Sequence, residues 1–132
     1  MTLYVDTSAL LKRYIDEPDS DRAEALLASD PDLVTGRHTL VEVRRNLARL
    51  LDGPALLAAR DAFSRDLEAL ALIELDANTC ERAAALAEQS GVRTLDALHL
   101  GAASRLGSVS ILTYDVRQAQ VARAIGLTVV GG

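Results

Sequence analysis

Four acidic residues occupy positions at which a chain of alternating strands and helices can assemble a catalytic site. Asp6 and Asp115 each directly follow a short apolar run, whereas Glu42 and Asp96 fall near the expected starts of helices. Taken singly, each acid can be a helix cap, a first-turn carboxylate or part of a solvated helix face. Because functional groups of parallel α/β sheets gather beyond the carboxyl ends of the strands, the four acids are expected to meet above one edge of the sheet.

Four carboxylates in one place raise one another's pKa unless a cation compensates their charge. Ligands that offer only oxygen atoms favour Mg²⁺ or Mn²⁺ over zinc. The hydroxyls of Ser8 and Thr113 are placed to orient a carboxylate or a water molecule near such an ion. A cation held by acids recruits phosphate oxygens, lowers the pKa of water and stabilises a leaving oxygen. The pattern therefore predicts phosphodiester hydrolysis by a nuclease.

The elements that must position these acids alternate between strands and helices. Five short apolar or β-branched runs, separated by segments of helical length, predict strands at residues 3–5, 32–35, 72–75, 110–113 and 127–130. This alternation predicts the α/β class, with a parallel sheet covered on both faces.

Capping residues and helix breakers indicate where the helices begin and end. Thr7 or Ser8 is predicted to cap a helix that runs through Ile15, and Asp76 and Thr94 are predicted to cap two later helices. Glycine and proline mark several of the other ends. The predicted helices cover residues 7–15, 21–29, 39–51, 54–70, 77–89, 95–106 and 116–125.

Length and composition limit the possible classes of protein. The chain has 132 residues, 49% of them hydrophobic, which predicts one globular domain spanning residues 1–132. Cys80 is the only cysteine, so an intramolecular disulfide and a Cys-rich zinc site are excluded, and a lone thiol suits a reducing compartment. No signal peptide or membrane-spanning run is recognisable. We therefore expect a soluble cytoplasmic domain with no membrane partner.

Other enzymes built on similar sheets lack their motifs here. A phosphoacceptor receiver domain needs a second acid beside the first, and a haloacid-dehalogenase-type phosphatase needs Asp-x-Asp, but Ser8 stands two residues after Asp6. The chain has no GxxxxGK(S/T) or GxGxxG phosphate loop, and Ser8 lacks a nucleophile elbow. His99 is interpreted as a helix-surface or acid-paired residue, with Asp96 three positions before it. His38 is interpreted as a loop or capping residue without a second histidine at metal spacing.

Five blocks of sequence occur in the order and spacing of a known family. They are MTLYVDTSALLKRY at 1–14, EPDS at 17–20, TLVEV at 39–43, RTLDALHL at 93–100 and LTYD at 112–115. Together they resemble the PIN-domain toxins of the VapC type, and they span nearly the whole chain. The resemblance implies a three-layer α/β/α PIN-like sandwich whose five parallel strands have the order 3-2-1-4-5. It also implies that the catalytic and metal-binding acids are Asp6, Glu42, Asp96 and Asp115, with Thr113 as the supporting hydroxyl residue.

The same resemblance implies an activity and a partner. The activity is that of a Mg²⁺- or Mn²⁺-dependent endoribonuclease toxin that cleaves RNA such as tRNA or rRNA, leaves 5′-phosphate and 3′-hydroxyl ends and inhibits translation. The partner is a small VapB-type antitoxin that wraps the toxin and can place a basic side chain among the acids, and homodimers are expected. An apolar groove for the antitoxin is predicted around Leu10, Leu11, Leu26 and Leu27. Two alternatives stay open: a housekeeping PIN-domain RNA-processing nuclease, and a catalytically silent PIN-like binding module.

The charge balance bears on RNA binding. A formal net charge of −5 argues against binding nucleic acid through bulk positive charge, and scarce aromatic residues argue against base stacking. Without the four predicted site acids, however, the chain carries only −1. RNA binding is therefore predicted to depend on a cation and on a few arginines, and the candidates are Arg44, Arg45, Arg49, Arg93 and Arg117.

Overall fold

The computed structural model describes residues 2–29, 32–107 and 109–131. Its five strands are β1 (Thr2–Val5), β2 (Asp32–Gly36), β3 (Ala71–Ile73), β4 (Ser110–Leu112) and β5 (Thr128–Val130). They form one sheet in the order β3-β2-β1-β4-β5, and every neighbouring pair is parallel. The predicted class and strand order are confirmed. The third strand was expected at 72–75 but ends earlier, where its pairing with β2 stops.

Seven helices occur in the described ranges, and each corresponds to a predicted one. They are α1 (Thr7–Leu11), α2 (Ser20–Ser29), α3 (Thr39–Leu50), α4 (Gly53–Ala69), α5 (Ala77–Ser90), α6 (Thr94–Ser104) and α7 (Val116–Ala124). The expected extension of α1 through Ile15 is wrong. The amides of Lys12, Arg13 and Tyr14 each donate to the carbonyl three residues back, so the chain tightens into turns after Leu11.

Two of the predicted helix caps are also wrong. The residue that caps α1 is Asp6, whose Oδ1 accepts a hydrogen bond from the amide of Ala9, so neither Thr7 nor Ser8 has that role. Thr94 is the first residue of α6 rather than its cap. The cap predicted at Asp76 is confirmed, since its side chain accepts from the amide of Thr79. Asp76 and Asp6 thus behave as the capping preference of aspartate predicts.

The sheet is covered on both faces, as the alternation of elements requires. Side chains of successive β1 residues point to opposite faces. Tyr4 packs in one apolar cluster with residues of α5, α6 and α7, whereas Leu3 and Val5 pack in a second cluster with residues of α1 to α4. These two clusters make the three-layer α/β/α sandwich and leave the carboxyl ends of β1 and β4 open at one edge.

An apolar groove was predicted on the first two helices, but their leucines pack into or against the core. Leu10 and Leu27 are 0% and 2% exposed and belong to the core. Leu11 and Leu26 are only partly buried but pack against the same core.

Among the described residues, no helix combines the length and apolar character needed to cross a membrane.

Candidate active site

The two acids predicted at strand ends lie side by side because β1 and β4 are neighbours in the sheet. Asp6 directly follows β1, and its amide donates to the carbonyl of Leu112, the last residue of β4. Asp115 follows β4 by three residues and caps α7, accepting from the amide of Gln118 at 2.9 Å. Both aspartates therefore cap a helix and also face the open edge of the sheet.

The two remaining acids reach the same place from helices on opposite faces of the sheet. Glu42 lies in the first turn of α3, and Asp96 lies in the first turn of α6. All four acids line one cavity of about 370 Å³. The full lining comprises Asp6, Thr7, Ser8, Leu11, Glu42, Asn46, Arg93, Asp96, His99 and Asp115. Glu42 is thus not part of a solvated helix face: its side chain is only 15% exposed.

Asp6 is the most enclosed of the four carboxylates, with 2% exposure. Its Oδ1 accepts from the Ser8 hydroxyl at 2.7 Å and its Oδ2 from the Thr113 hydroxyl at 2.5 Å. Burial raises the pKa of Asp6, even though His99 and the hydrogen bonds from Thr113, Ser8 and the Ala9 amide favour its ionised form. The two hydroxyls predicted as supporting groups therefore both contact this carboxylate.

Among the four acids, Asp96 is the one whose pKa shows the charge of the other acids most clearly. Its pKa is raised to about 6, first by burial and next by the charge of Asp115; His99 opposes this shift, and Asp6 and Glu42 add smaller contributions to it. Within the described ranges, no ion pair shorter than 4 Å involves the side chain of Asp6, Asp96 or Asp115. The cluster therefore has the uncompensated charge that a divalent cation would neutralise, and its oxygen donors fit such an ion.

A second network, which sequence reasoning did not anticipate, holds Glu42 in position. Glu42 Oε1 lies 2.8 Å from His99 Nε2 and accepts from the Thr7 hydroxyl at 2.9 Å. The other ring nitrogen of His99 lies 2.8 Å from the Tyr4 hydroxyl. Although burial opposes ionisation, the hydrogen bond and charge of His99, followed by the bond from Thr7, lower the pKa of Glu42.

Of the two environments predicted for His99, pairing with an acid is confirmed and a place on the helix surface is not. It is 1% exposed, so placement on the helix surface is wrong, and its acidic hydrogen-bond partner is Glu42 rather than the expected Asp96. The i, i+3 spacing suggested Asp96 because that spacing brings residues together on a helix surface. His99 instead points inward, and only the packing of α6 against the sheet could show this.

His38 stands at the N-cap position of α3 but makes no capping hydrogen bond through its side chain. It is 7% exposed, and its ring centroid lies 4.1 Å from that of His99. Burial and then the charge of His99 lower the pKa of His38 to about 4, against the opposing effects of Glu42 and the Leu95 backbone, so the ring is neutral at pH 7. A second histidine is therefore present in space, although no sequence spacing signals it.

The candidate arginines divide between two surfaces. Arg93 lines the acid cavity and, with Arg117, an adjoining cavity of about 360 Å³ that also includes Asp96 and Asp115. The second surface is a groove of about 430 Å³ between α3 and α4, away from the four acids, and its lining includes Arg44 and Arg45. Arg49 lines none of these three cavities and donates to the side chain of Asn46.

The fold and the acid-lined cavity are typical of one family of proteins, and comparison with known sequences identifies that family. A family model described as PIN domain matches residues 3–124. Ribonuclease VapC46 of Mycobacterium tuberculosis is 35% identical over 130 residues, which cover 97% of this chain and 95% of that relative. The chain belongs to the PIN-domain family. Within it, the similarity is to proteins named VapC ribonucleases, as the sequence blocks implied.

Solved structures share the same fold over nearly the whole chain. Mycobacterium tuberculosis VapC20, described as a sarcin-ricin loop cleaving toxin, superposes with a TM-score of 0.79 at 22% identity and covers 98% of this chain and 99% of its own. VapBC2 from Rickettsia felis, bound to a DNA fragment from its promoter, has a TM-score of 0.72 at 17% identity, with 98% of each chain covered. At these identities, the comparison establishes the PIN fold.

Proposed function

We propose that the protein is an endoribonuclease of the VapC type, dependent on Mg²⁺ or Mn²⁺, and the toxin of a type II toxin–antitoxin pair. One observation carries the proposal: Asp6, Glu42, Asp96 and Asp115 line a single cavity in a chain whose curated relative of 35% identity is named a ribonuclease. The same four residues fall in the sequence blocks that resemble those of the family, which supports the proposal. RNA phosphodiester bonds are the substrate, with tRNA or rRNA the expected targets and inhibition of translation the expected result.

The four acids are the catalytic and metal-binding groups of this proposal. Asp6 is oriented by donors on both of its oxygens, and Glu42 is oriented by Thr7 and His99. Fixed orientation matters because a preorganised charge needs no rearrangement during the reaction. When bound, a divalent cation supplies Lewis acidity toward a phosphate oxygen and lowers the pKa of water.

RNA reaches the site along its exposed side. Asp96, Asp115 and Arg93 line both the acid cavity and the adjoining one, and Arg117 lines the adjoining one. The guanidinium groups of Arg93 and Arg117 bind the phosphates on either side of the scissile bond, since arginine recognises phosphate through paired hydrogen bonds. In this way a chain of net negative charge holds RNA locally and not over its whole surface.

The proposed partner is a VapB-type antitoxin with a basic segment. Four acids without a matching cation attract an arginine or lysine side chain. The fold of this chain also occurs in VapBC2 of Rickettsia felis, and the relatives similar in sequence are named VapC ribonucleases. A homodimer and a cytoplasmic location complete the proposal.

The activity is tested by incubating the purified chain with total RNA and Mn²⁺ or Mg²⁺, with and without chelator. Asp6→Asn is expected to abolish cleavage, whereas Asp52→Asn serves as the matched control because Asp52 is exposed and its side chain makes no capping hydrogen bond. Fragments should carry 5′-phosphate ends. Chelator-insensitive cleavage, or full activity of Asp6→Asn, contradicts the mechanism.

Two further observations separate the alternatives. A silent binding module retains RNA on a filter but yields no fragments with any divalent cation. A housekeeping nuclease cleaves RNA but does not arrest growth when induced alone, whereas a toxin arrests growth and is relieved by co-expression of a small basic partner encoded beside it.

A further inference from the structure

Two histidines and a glutamate from separate parts of the chain meet beside the acid cavity. Between them, His38, Glu42 and His99 offer three possible ligand atoms that all lie within 4.8 Å of one another. Glu42 Oε1 is 2.8 Å from His99 Nε2 and 3.7 Å from His38 Nε2. His38 and Glu42 belong to the start of α3 and His99 belongs to α6, so the group joins helices on opposite faces of the sheet.

The side chain of His38 is the observation that points to a ligand. It is 7% exposed, and among the described residues neither of its ring nitrogens makes a hydrogen bond of normal geometry. Buried polar atoms in native proteins nearly always have partners, so an imidazole left without one requires an explanation. An imidazole in its neutral form has one unprotonated ring nitrogen whose lone pair can bind a metal ion.

The surroundings of the two rings keep them in place. A Cβ atom at Gly36 would lie 2.5 Å from Cε1 of His38 and 2.9 Å from the Tyr4 hydroxyl, so only glycine leaves room for these rings at the end of β2. On the far side, His99 Nδ1 lies 2.8 Å from that hydroxyl. Histidines that bind metals commonly donate a hydrogen bond from their second ring N–H to an acceptor; when Nδ1–H of His99 donates to the Tyr4 hydroxyl, Nε2 is unprotonated and free to bind the metal.

The donor set differs in chemical class from the four acids. Two imidazoles and one carboxylate form the ligand set typical of zinc, whereas oxygen ligands alone favour magnesium. Zinc–ligand bonds of about 2.0–2.1 Å in tetrahedral geometry place ligand atoms roughly 3.3 Å apart. The separations of 2.8 and 3.7 Å from Glu42 to the two histidines bracket that value, and all three ligand atoms lie within 4.8 Å of one another.

We propose that His38, Glu42 and His99 form an inhibitory binding site for Zn²⁺. Zinc bound there shares Glu42 with the acid cavity and places positive charge beside Asp6 and Asp96, so it weakens the binding of Mg²⁺ or Mn²⁺. The inhibitory consequence rests on the proposed function, but zinc binding itself does not. The site thus makes the nuclease sensitive to the ratio of zinc to magnesium.

Binding is tested with the full chain, stripped of metal and titrated with Zn²⁺ against a chromophoric chelator. His38→Asn is expected to weaken zinc binding by about tenfold or more. Asp96→Asn is the matched control, because it removes one of the four acids and leaves the histidines intact; it should bind Zn²⁺ more tightly than His38→Asn does, and lose more affinity for Mn²⁺ than for Zn²⁺. Equal zinc affinity in His38→Asn and the parent overturns the proposal, as does loss of zinc binding in Asp96→Asn.

A measurement on the unaltered chain covers the case in which His38→Asn does not fold. Nitrogen-15 spectra of the histidine side chains should show one equivalent of Zn²⁺ shifting an Nε2 or Nδ1 resonance of both rings. Resonances that stay unchanged with excess Zn²⁺ overturn the proposal without any mutation.

Inhibition is then measured as RNA cleavage at constant Mg²⁺ and increasing Zn²⁺, each protein being compared with its own activity in Mg²⁺ alone. The parent should lose activity in parallel with the zinc affinity measured by the chelator, and His38→Asn should need at least about tenfold more Zn²⁺. Cleavage without zinc binding refutes this inference alone. Absence of cleavage in every condition refutes the proposed function, while the titration still decides whether the zinc site exists.

Discussion

Replacing Thr113 by valine should weaken the binding of the catalytic metal ion, because this one side chain connects two of the four acids. Its hydroxyl donates to Asp6 Oδ2 at 2.5 Å and accepts from the amide of Asp115 at 3.1 Å. Thr113 is 1% exposed, so water cannot replace either bond. Valine has nearly the same shape but lacks the hydroxyl, and the change therefore removes both contacts with little effect on packing.

The magnitude follows from the type of bond that is lost. A hydrogen bond to a charged group contributes about 1.5–3 kcal/mol. Asp6 keeps its bonds from Ser8 and from the Ala9 amide, so the lower half of that range applies. At about 1.4 kcal/mol for each factor of ten, the metal concentration needed for half-maximal cleavage should rise by roughly 10- to 40-fold. Partners that orient metal ligands commonly have effects of this size.

The assay is cleavage of a fluorescent RNA at increasing Mn²⁺. Thr113→Ser is the matched control, since it keeps the hydroxyl and removes only a methyl group, and it should stay within about threefold of the parent. Thermal unfolding in chelator shows whether either variant has lost its fold. If Thr113→Val needs no more Mn²⁺ than the parent, or Thr113→Ser loses as much as Thr113→Val, the hydroxyl does not position the site and the reasoning is refuted.

Three other predictions follow from packing and charge. Gly36→Ala should lower the free energy of unfolding in urea by about 1–3 kcal/mol, and by less in a His38→Ala background, because the new Cβ overlaps the His38 ring. Gly101→Ala should lower it by a similar amount in either background, since its Cβ would approach the Thr79 carbonyl oxygen to 3.0 Å. For Asp96, whose folded pKa of about 6 exceeds the ordinary aspartate pKa of 3.8, ionisation destabilises the fold as pH rises between these values. The melting temperature of metal-free Asp96→Asn should therefore gain on that of the parent from about pH 4 to 6, and an unchanged difference contradicts the assignment.

The sequence predicted the parts of the site that depend on strand ends. Asp6 and Asp115 follow strands that any reading of apolar runs can place, and β1 and β4 are neighbours. Glu42 and Asp96 are harder, because a helix offers several faces and only tertiary packing selects the one that points to the cavity. For Glu42 and Asp96, the family resemblance predicted a position in the site, whereas the helical periodicity did not.

The histidine pair shows what the sequence could not predict. His38 and His99 come from different elements, and their 4.1 Å approach depends on how α3 and α6 cross the ends of the sheet. The spacing rules for metal ligands apply to residues of one hairpin, loop or helix. They therefore do not detect two histidines that come from different elements of the fold. The predicted antitoxin groove was wrong for a different reason. The pattern of Leu10, Leu11, Leu26 and Leu27 marked an apolar face correctly, but the pattern alone does not say whether the core already covers that face.

For Asp6 and Asp115, the role of helix cap does not exclude the proposed role of metal ligand. A carboxylate has two oxygens that together accept several hydrogen bonds or ligands, so one oxygen can cap a helix while the other faces the cavity. Asp115 caps through Oδ1, and Asp6 caps through Oδ1 while its Oδ2 accepts from Thr113. The cap fixes the rotamer and so preorganises the charge. Asparagine caps helices as well as aspartate does. Replacement by asparagine therefore removes the charge and keeps the helix start, whereas alanine would confound the two.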